Sequence, residues 1–418
     1  MILTLCRNPK KRNSTRRMLA WCGMVGMMIS PLRANEIPPV PTEQAIATIL
    51  ESKIILRQKG KYPGPGSEFG YNEHGHPKTL KTVVEPDRYV GWATIVKTRA
   101  SELIVVFSGD RDSHIDPWGK TQIIRSLDQG KTWSKEETIT STPLDDRDAG
   151  IIQTKAGTLV VSWFTSTIAI EPNAFPGAWD RYARHAEKVT QEIRDQWKGN
   201  WIRRSEDNGK TWGPPIRNVG TAPHGPIELR DGRLLYLGNA DWQGRKTMTV
   251  EQSADDGRSW TVIGEIPKPA DMKAGLYEPH LVETTSGKLI ALIRHEPKDR
   301  QCFLLQSEST DGGKTWTPLH TTGLWGYPPH AIRLQNGWLL VAYGHRRVPF
   351  GERAAISRDE GKTWDVENQV SLVGAPGPDL GYPSSAQLDD GSILTVYYQA
   401  EKLGQPTYLG STHWRLKE

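Results

Sequence analysis

One eight-residue sentence, Ser-x-Asp-x-Gly-Lys/Arg-Thr/Ser-Trp, is written five times in this chain: "SLDQGKTW" from 126, "SEDNGKTW" from 205, "SADDGRSW" from 253, "STDGGKTW" from 309 and "SRDEGKTW" from 357. The intervals are 79, 48, 56 and 48 residues. A period of about 50 residues is that of a propeller or solenoid, in which one supersecondary unit cannot bury its apolar face alone and stacks on its neighbours. β-rich runs precede the copies ("ELIVVFSG", "TLVVSWFTS", "RLLYLGN", "KLIALIRH", "WLLVAYG"), and most open on a hairpin signal such as "KAG", "RDG", "TSG" or "QNG". A short strand follows each copy. Four strands per repeat, set radially, satisfy this pattern and leave only short sheet edges. The expected fold class is all-β, a six-bladed β-propeller whose innermost strands start near Trp92, Asp148, His224, His280, His330 and Tyr382. The sixth blade lacks the sentence, and the early strand "SKIILRQ" is expected to complete it by closing the ring.

The sentence itself reads as a hairpin turn. Asp accepts backbone N–H bonds, Gly takes a positive φ, Ser or Thr adds a local bond, and Trp packs beneath. Five copies cannot all face one site, so these aspartates belong to the fold and not to chemistry. The segment "PGAWDRYARHAEKVTQEIRDQWKGNW" (176–201) breaks the pattern with helical periodicity, and predicts a helical insertion in blade two, either a packing helix or a lid.

Residues 1–34 have the basic start, apolar run and small residue of an export signal, which makes the protein exported, periplasmic or extracellular. The pair Arg16-Arg17 fits the twin-arginine route, and Trp21 argues against a lipid anchor on Cys22. Residues 35–85 are then a lead-in carrying the ring-closing strand, and 86–418 the propeller. The leader carries seven of the 53 Lys and Arg and no acid, which leaves 46 basic against 48 acidic residues, a formal charge of −2. A nucleic-acid partner is not expected on that balance. Nor is a membrane one, because no other apolar run approaches a span. Cys302 is left alone after the leader, so neither an intramolecular disulfide nor a cysteine metal cage is expected. No cofactor is called for, and the chain is expected to be a monomer.

The repeat resembles the Asp-box, or bacterial neuraminidase repeat, of the sialidase superfamily of β-propellers. Two further segments carry the resemblance. "LYEPHLVETTSGKLIALIRHE" resembles the family segment with a general-base glutamate and a substrate-binding arginine, here Glu278 and Arg294. "DLGYPSSAQLDDGSILTVYY" resembles the one with the tyrosine nucleophile, here Tyr382. The pairing makes chemical sense, since a phenol with a pKa of about 10 needs a nearby carboxylate to take its proton. In "VVFSGDRDSHIDPWGK" the resemblance places a substrate arginine at Arg111 and the acid/base aspartate at Asp116, with Asp112 as a competitor. Arg353, 29 residues before Tyr382, falls where the family has the third arginine of its carboxylate clamp.

The chain departs from the family at "YVGWATI", where Trp92 replaces the first clamp arginine. Arg88 is the nearby cation able to replace it, and Trp92 would offer a flat surface to a sugar ring. Pro-His recurs at His224, His280 and His330, with His114 in the blade-one loop. Converging on the channel, these imidazoles would bond sugar hydroxyls or move protons. Their ligand type also permits zinc, although packing explains such recurrence as well, and no metal is assigned. The expected function is a sialidase-like exo-glycosidase acting on a terminal acidic or unusual sugar of a glycan or polysaccharide. A polysaccharide lyase and a carbohydrate-binding propeller without turnover stand as alternatives.

Overall fold

The apolar runs pair into six antiparallel sheets of four strands each. A computed structural model describes residues 37, 39–59, 87–171 and 179–417. The expected leader and most of the lead-in after the ring-closing strand lie outside the described residues.

Blade one comprises β2 (Tyr89–Lys97), β3 (Leu103–Arg111), β4 (Lys120–Ser126) and β5 (Glu137–Thr140), while β1 (Ala47–Leu56) belongs to blade six. Blade two holds β6 (Asp145–Gln153), β7 (Leu159–Ser166), β8 (Gly199–Ser205) and β9 (Ile216–Asn218), and blade three β10 (Ile227–Glu228), β11 (Leu234–Trp242), β12 (Arg245–Ser253) and β13 (Thr261–Ile266). Blade four is β14 (Gly275–Glu283), β15 (Leu289–Glu296), β16 (Phe303–Ser309) and β17 (His320–Trp325). Blade five is β18 (Pro329–Arg333), β19 (Leu339–His345), β20 (Gly351–Ser357) and β21 (Val370–Gly374). In blade six, β22 (Leu380–Gln387), β23 (Ile393–Ala400) and β24 (Thr407–Leu416) are joined by β1, which pairs antiparallel with β24. Every repeated sentence links the third strand of a blade to its fourth. Blade six takes its fourth strand from the other end of the chain, so it has no such turn and no sixth copy.

Each turn is held as its residues require. In the first, the Ser126 hydroxyl donates to Asp128 at 2.8 Å and accepts from Gly130 N–H at 2.8 Å, while Asp128 accepts from the Thr132 N–H and hydroxyl at 2.9 and 2.6 Å. Gly130 has φ +85°. The same bonds recur at Asp207, Asp255, Asp311 and Asp359. These donors hold the Asp207 carboxyl down at about 2, though it is exposed. Trp316 and Trp364 are buried; Trp133, Trp212 and Trp260 are half-buried, each against the core of its blade. Trp364→Ala is expected to cost about 3–5 kcal/mol, since it empties a site among Ile290, Leu339 and Val341. Urea unfolding checks this, and an unchanged midpoint would show the turn to be ornamental.

The insertion in blade two is two short helices, not one: α1 (Trp179–Ala186) and α2 (Gln191–Trp197). The Thr190 side chain accepts from Ile193 N–H and starts the second helix afresh. Tyr182 is buried and donates to Ile115 O at 3.0 Å, and its ring meets Trp118 edge-on at 5.3 Å. The insertion therefore braces the blade-one loop 113–118. Among the described residues no helix is long and apolar enough to cross a membrane. Cys302 is buried and free.

Candidate active site

The innermost strands carry an uncommon backbone feature at matching places. Trp92, Asp148, His224, Glu278 and Tyr382 all have positive φ, at 54°, 54°, 71°, 42° and 53°. Four of them sit in a break of register: Gly91/Thr94, Arg147/Gly150, Tyr277/His280 and Gly381/Ser384. A non-glycine residue in this region costs on the order of 1–3 kcal/mol, and a bulge re-aims its side chain. The ring thus spends backbone strain on five side chains at one end of its inner strands.

Glu278 and Tyr382 meet there. The Tyr382 hydroxyl donates to Glu278 Oε1 at 2.5 Å, although the two are 104 positions apart. Burial, reinforced by the Glu278 and Asp148 carboxylates, holds the Tyr382 phenol well above its ordinary value. Arg294 pairs with Glu278 Oε2 and, at 2.9 Å, with Glu296. Its guanidinium stacks 4.3 Å from the Tyr327 ring.

Asp148 completes the group, with Oδ1 buried and without a hydrogen-bond partner among the described residues. Burial, opposed by the Arg147 guanidinium and reinforced by the Glu278 carboxylate, pushes its carboxyl up to about 7. Asp148 and Glu278 line one cavity of about 400 Å³. A carboxyl poised near neutrality beside a phenol-carboxylate pair can donate a proton and take one back.

Three arginines surround this pair. Arg346 lies 5.7 Å from the Tyr382 ring and 5.2 Å from that of Tyr327, and Arg147 lies 4.7 Å from the Trp92 ring. Arg147 Nε, Arg294 Nε and Arg346 Nε and Nη2 are buried without a hydrogen-bond partner among the described residues. Unmatched guanidinium donors beside one another make a place for an anion. His114 is in the same field: its packing, with Arg147, Arg111, Arg346 and Arg294 around it, keeps it well below the ordinary histidine value. The residue as a whole is exposed. Tyr89 joins it, with the hydroxyl 2.9 Å from His114 Nδ1 and donating to Asp379 at 2.9 Å.

Of the residues expected from sequence, the structure brings Tyr382, Glu278, Arg294 and His114 together. The others it engages in packing or in pairs of their own. Asp116 is fully buried, its carboxylate taken by Asp112 N–H at 2.7 Å and Trp118 N–H at 2.9 Å, so it holds its own loop. Asp112 pairs with Arg88 at 3.1 Å, and Arg88 also donates to Asp110 O at 2.8 Å. Arg111 is fully buried on Asp145 at 2.5 Å. Arg353 lies in register with Tyr343 and Ser371, and its charge acts on Tyr343 and His345; the arginine against the Tyr382 ring is Arg346, at 5.7 Å. Trp92 is only 1% exposed, clasped between Arg111 and Arg147, each 4.7 Å from its ring. It is a floor, not a sugar platform.

The three Pro-His imidazoles converge on the channel, as expected, but as a buried group. His224 shares the strained position of Glu278, whereas His280 and His330 lie farther along their strands. All three are at most 5% exposed; the His280 and His330 rings stack at 4.6 Å, and His224 meets them edge-on at 5.8 and 4.9 Å. His280 Nδ1 accepts from Ala331 N–H and His330 Nδ1 from Ser385 N–H. Burial pushes His280 down to about 4 and holds the other two well below their ordinary value. They form a neutral layer under Tyr382, at the start of a central channel of about 510 Å³. Among the described residues no cluster of His, Cys, Asp and Glu is arranged to hold a metal ion.

Sequence reasoning did not single out Arg147, Arg346 or the buried carboxyl of Asp148. The signal for Asp148 was present, since it stands at a blade start like Glu278 and Tyr382.

The BNR repeat-like domain model matches residues 182–395, just over half of the chain. A protein of unknown function from Dyadobacter fermentans has a similar structure, with a TM-score of 0.68 at 23% identity, over 89% of this chain and 99% of that one. A Hadza microbial sialidase gives 0.58 at 18% identity, over 78% of this chain and 65% of that one. These are likenesses of fold. In sequence, a xyloglucanase from Acetivibrio thermocellus is 27% identical over 196 residues, which is 40% of this chain and 21% of that enzyme. The Asp-box propeller expected from the repeat is thus matched by family and by fold.

Proposed function

We infer that this chain, which belongs to the BNR repeat-like domain family, is a retaining glycoside hydrolase that removes a terminal acidic sugar from a glycan. The observation that carries the reading is the Tyr382–Glu278 hydrogen bond set among three arginines with unmatched donors. A sialidase and a xyloglucanase among the similar proteins make glycan cleavage a coherent reading. The expected export leader fits an enzyme that meets glycans outside the cytoplasm.

The sugar carboxylate lies against Arg147, Arg294 and Arg346, which orients the anomeric carbon over Tyr382. The Tyr382 oxygen attacks that carbon while Glu278 takes the phenol proton. Protonated Asp148 gives its proton to the leaving oxygen as the glycosidic bond breaks. Water then attacks the tyrosyl-sugar bond, with ionised Asp148 taking the water proton and Tyr382 recovering its own from Glu278. A neutral nucleophile places no second negative charge against an anionic sugar.

The test is digestion of a glycan panel with sialic-acid, uronic-acid and neutral termini. Release of a saturated acidic monosaccharide is expected, with the anomeric configuration kept in the first-formed product. An unsaturated uronate, seen by its near-ultraviolet absorbance, would turn the assignment to a lyase. Binding without any product would make this a glycan-binding propeller.

A further inference from the structure

The cavity between Asp148 and Glu278 does not end at the reacting groups. It shares the lining residues Phe164, Asn200 and Asp241 with a second cavity of about 520 Å³ beside β7 and β8, so that the two adjoin as a groove over blades two and three. Each part has the size of a small-ligand site, roughly 300–1,000 Å³. Tyr277 stands on its wall at the end next to Glu278, 45% exposed although a large aromatic.

The Tyr277 ring is held in place. A Cβ on Gly275 would come within 2.1 Å of its hydroxyl oxygen, so the ring lies over a glycine that makes room for it. Arg294 sits 6.0 Å from its centre on the other strand. Farther out, Asp241 and Lys246 face each other across β11 and β12, both exposed. A fixed aromatic face flanked by hydrogen-bonding groups is how a protein surface holds a sugar ring, apolar on its face and polar at its edge.

The direction of the groove follows from the chemistry. Asp148 protonates the leaving oxygen, so the departing chain lies on the Asp148 side, and that side opens into this groove. We propose that the groove binds the leaving-group portion of an extended glycan chain, with Tyr277 as its stacking platform. The inference rests on the glycosidase reading and adds to it a substrate class: a chain of several sugars, not a single sugar on a small aglycone.

The experiment compares wild type, Tyr277→Ala, Tyr277→Trp and Gly275→Ala. The probes are sialyl- and uronyl-terminated oligosaccharides from disaccharide to hexasaccharide, and the corresponding glycosyl fluorides, whose leaving group is too small to enter the groove. For wild type, kcat/KM is expected to climb with chain length. Tyr277→Ala is expected to lower it about tenfold on the longest chains, mainly through KM, and to leave the fluorides within about twofold. Tyr277→Trp restores the long-chain rate, and Gly275→Ala, by displacing the ring, copies the Ala variant. A wild type indifferent to chain length, or an equal loss on chains and fluorides, overturns the inference while leaving the glycosidase reading intact. Hydrolysis of neither set overturns both.

Discussion

Tyr382→Phe is expected to lower kcat/KM by at least roughly a thousandfold while the protein stays folded. Only one oxygen is removed. The ring keeps its place among Trp92, Tyr398 and His224, with centroids 5.9–6.3 Å away. Glu278 loses the phenol proton donor but keeps Arg294, so no bare carboxylate is left behind. The attacking oxygen is lost, and with it the covalent intermediate that divides the reaction into two easier displacements. Wild type stalled with a fluorinated, slowly turned-over substrate should gain the mass of one sugar, on the peptide that contains Tyr382. A Phe variant that keeps more than a tenth of wild-type activity would remove Tyr382 from the nucleophile role.

Why the sequence pointed to the Tyr382–Glu278 contact but not to the buried setting of Asp116 is a matter of what each position depends on. The repeat is local grammar: Ser, Asp, Gly and Trp within eight residues fix a turn by bonds among themselves, so the propeller can be read directly. Tyr382 and Glu278 stand at innermost-strand starts, and that register follows from the repeat. Asp116 and Arg353 were chosen instead by counting residues along a loop and between strands. Counting cannot see that Asp116 spends both oxygens on Asp112 and Trp118 N–H groups, or that Arg353 lies on the third strand of its blade. Trp92 shows the same limit from another side. As a residue type it fits a sugar platform, and only the packing of Arg111, Arg147 and His114 around it reveals a buried floor. The missing clamp arginine was judged at the position where it is absent. Arg147, on the next blade, brings a guanidinium to the same ring, a relation between strands that no local pattern carries.

Asp148→Asn should separate proton donation from the rest of the reaction. The wild-type carboxyl, pushed up to about 7, is protonated below that pH and ionised above it. The donor is therefore present at acidic pH and lost as pH rises, and kcat/KM is expected to fall about tenfold per unit well above 7. Asn keeps the size and the strained backbone position but has no proton to give, so kcat/KM on unactivated glycans should drop by roughly 10²–10⁴. Glycosyl fluorides need little help at the leaving atom and should lose far less in bond cleavage. Removing the group that titrates also removes the alkaline limb near 7 from the profile of the variant. Asp116→Asn provides the contrast: its carboxylate holds a loop, so stability should suffer while the limb near 7 persists. If Asp148→Asn kept that limb and lost equally on fluorides and glycans, the proton donor would have to be sought elsewhere in the cleft, with His114 the first group to replace.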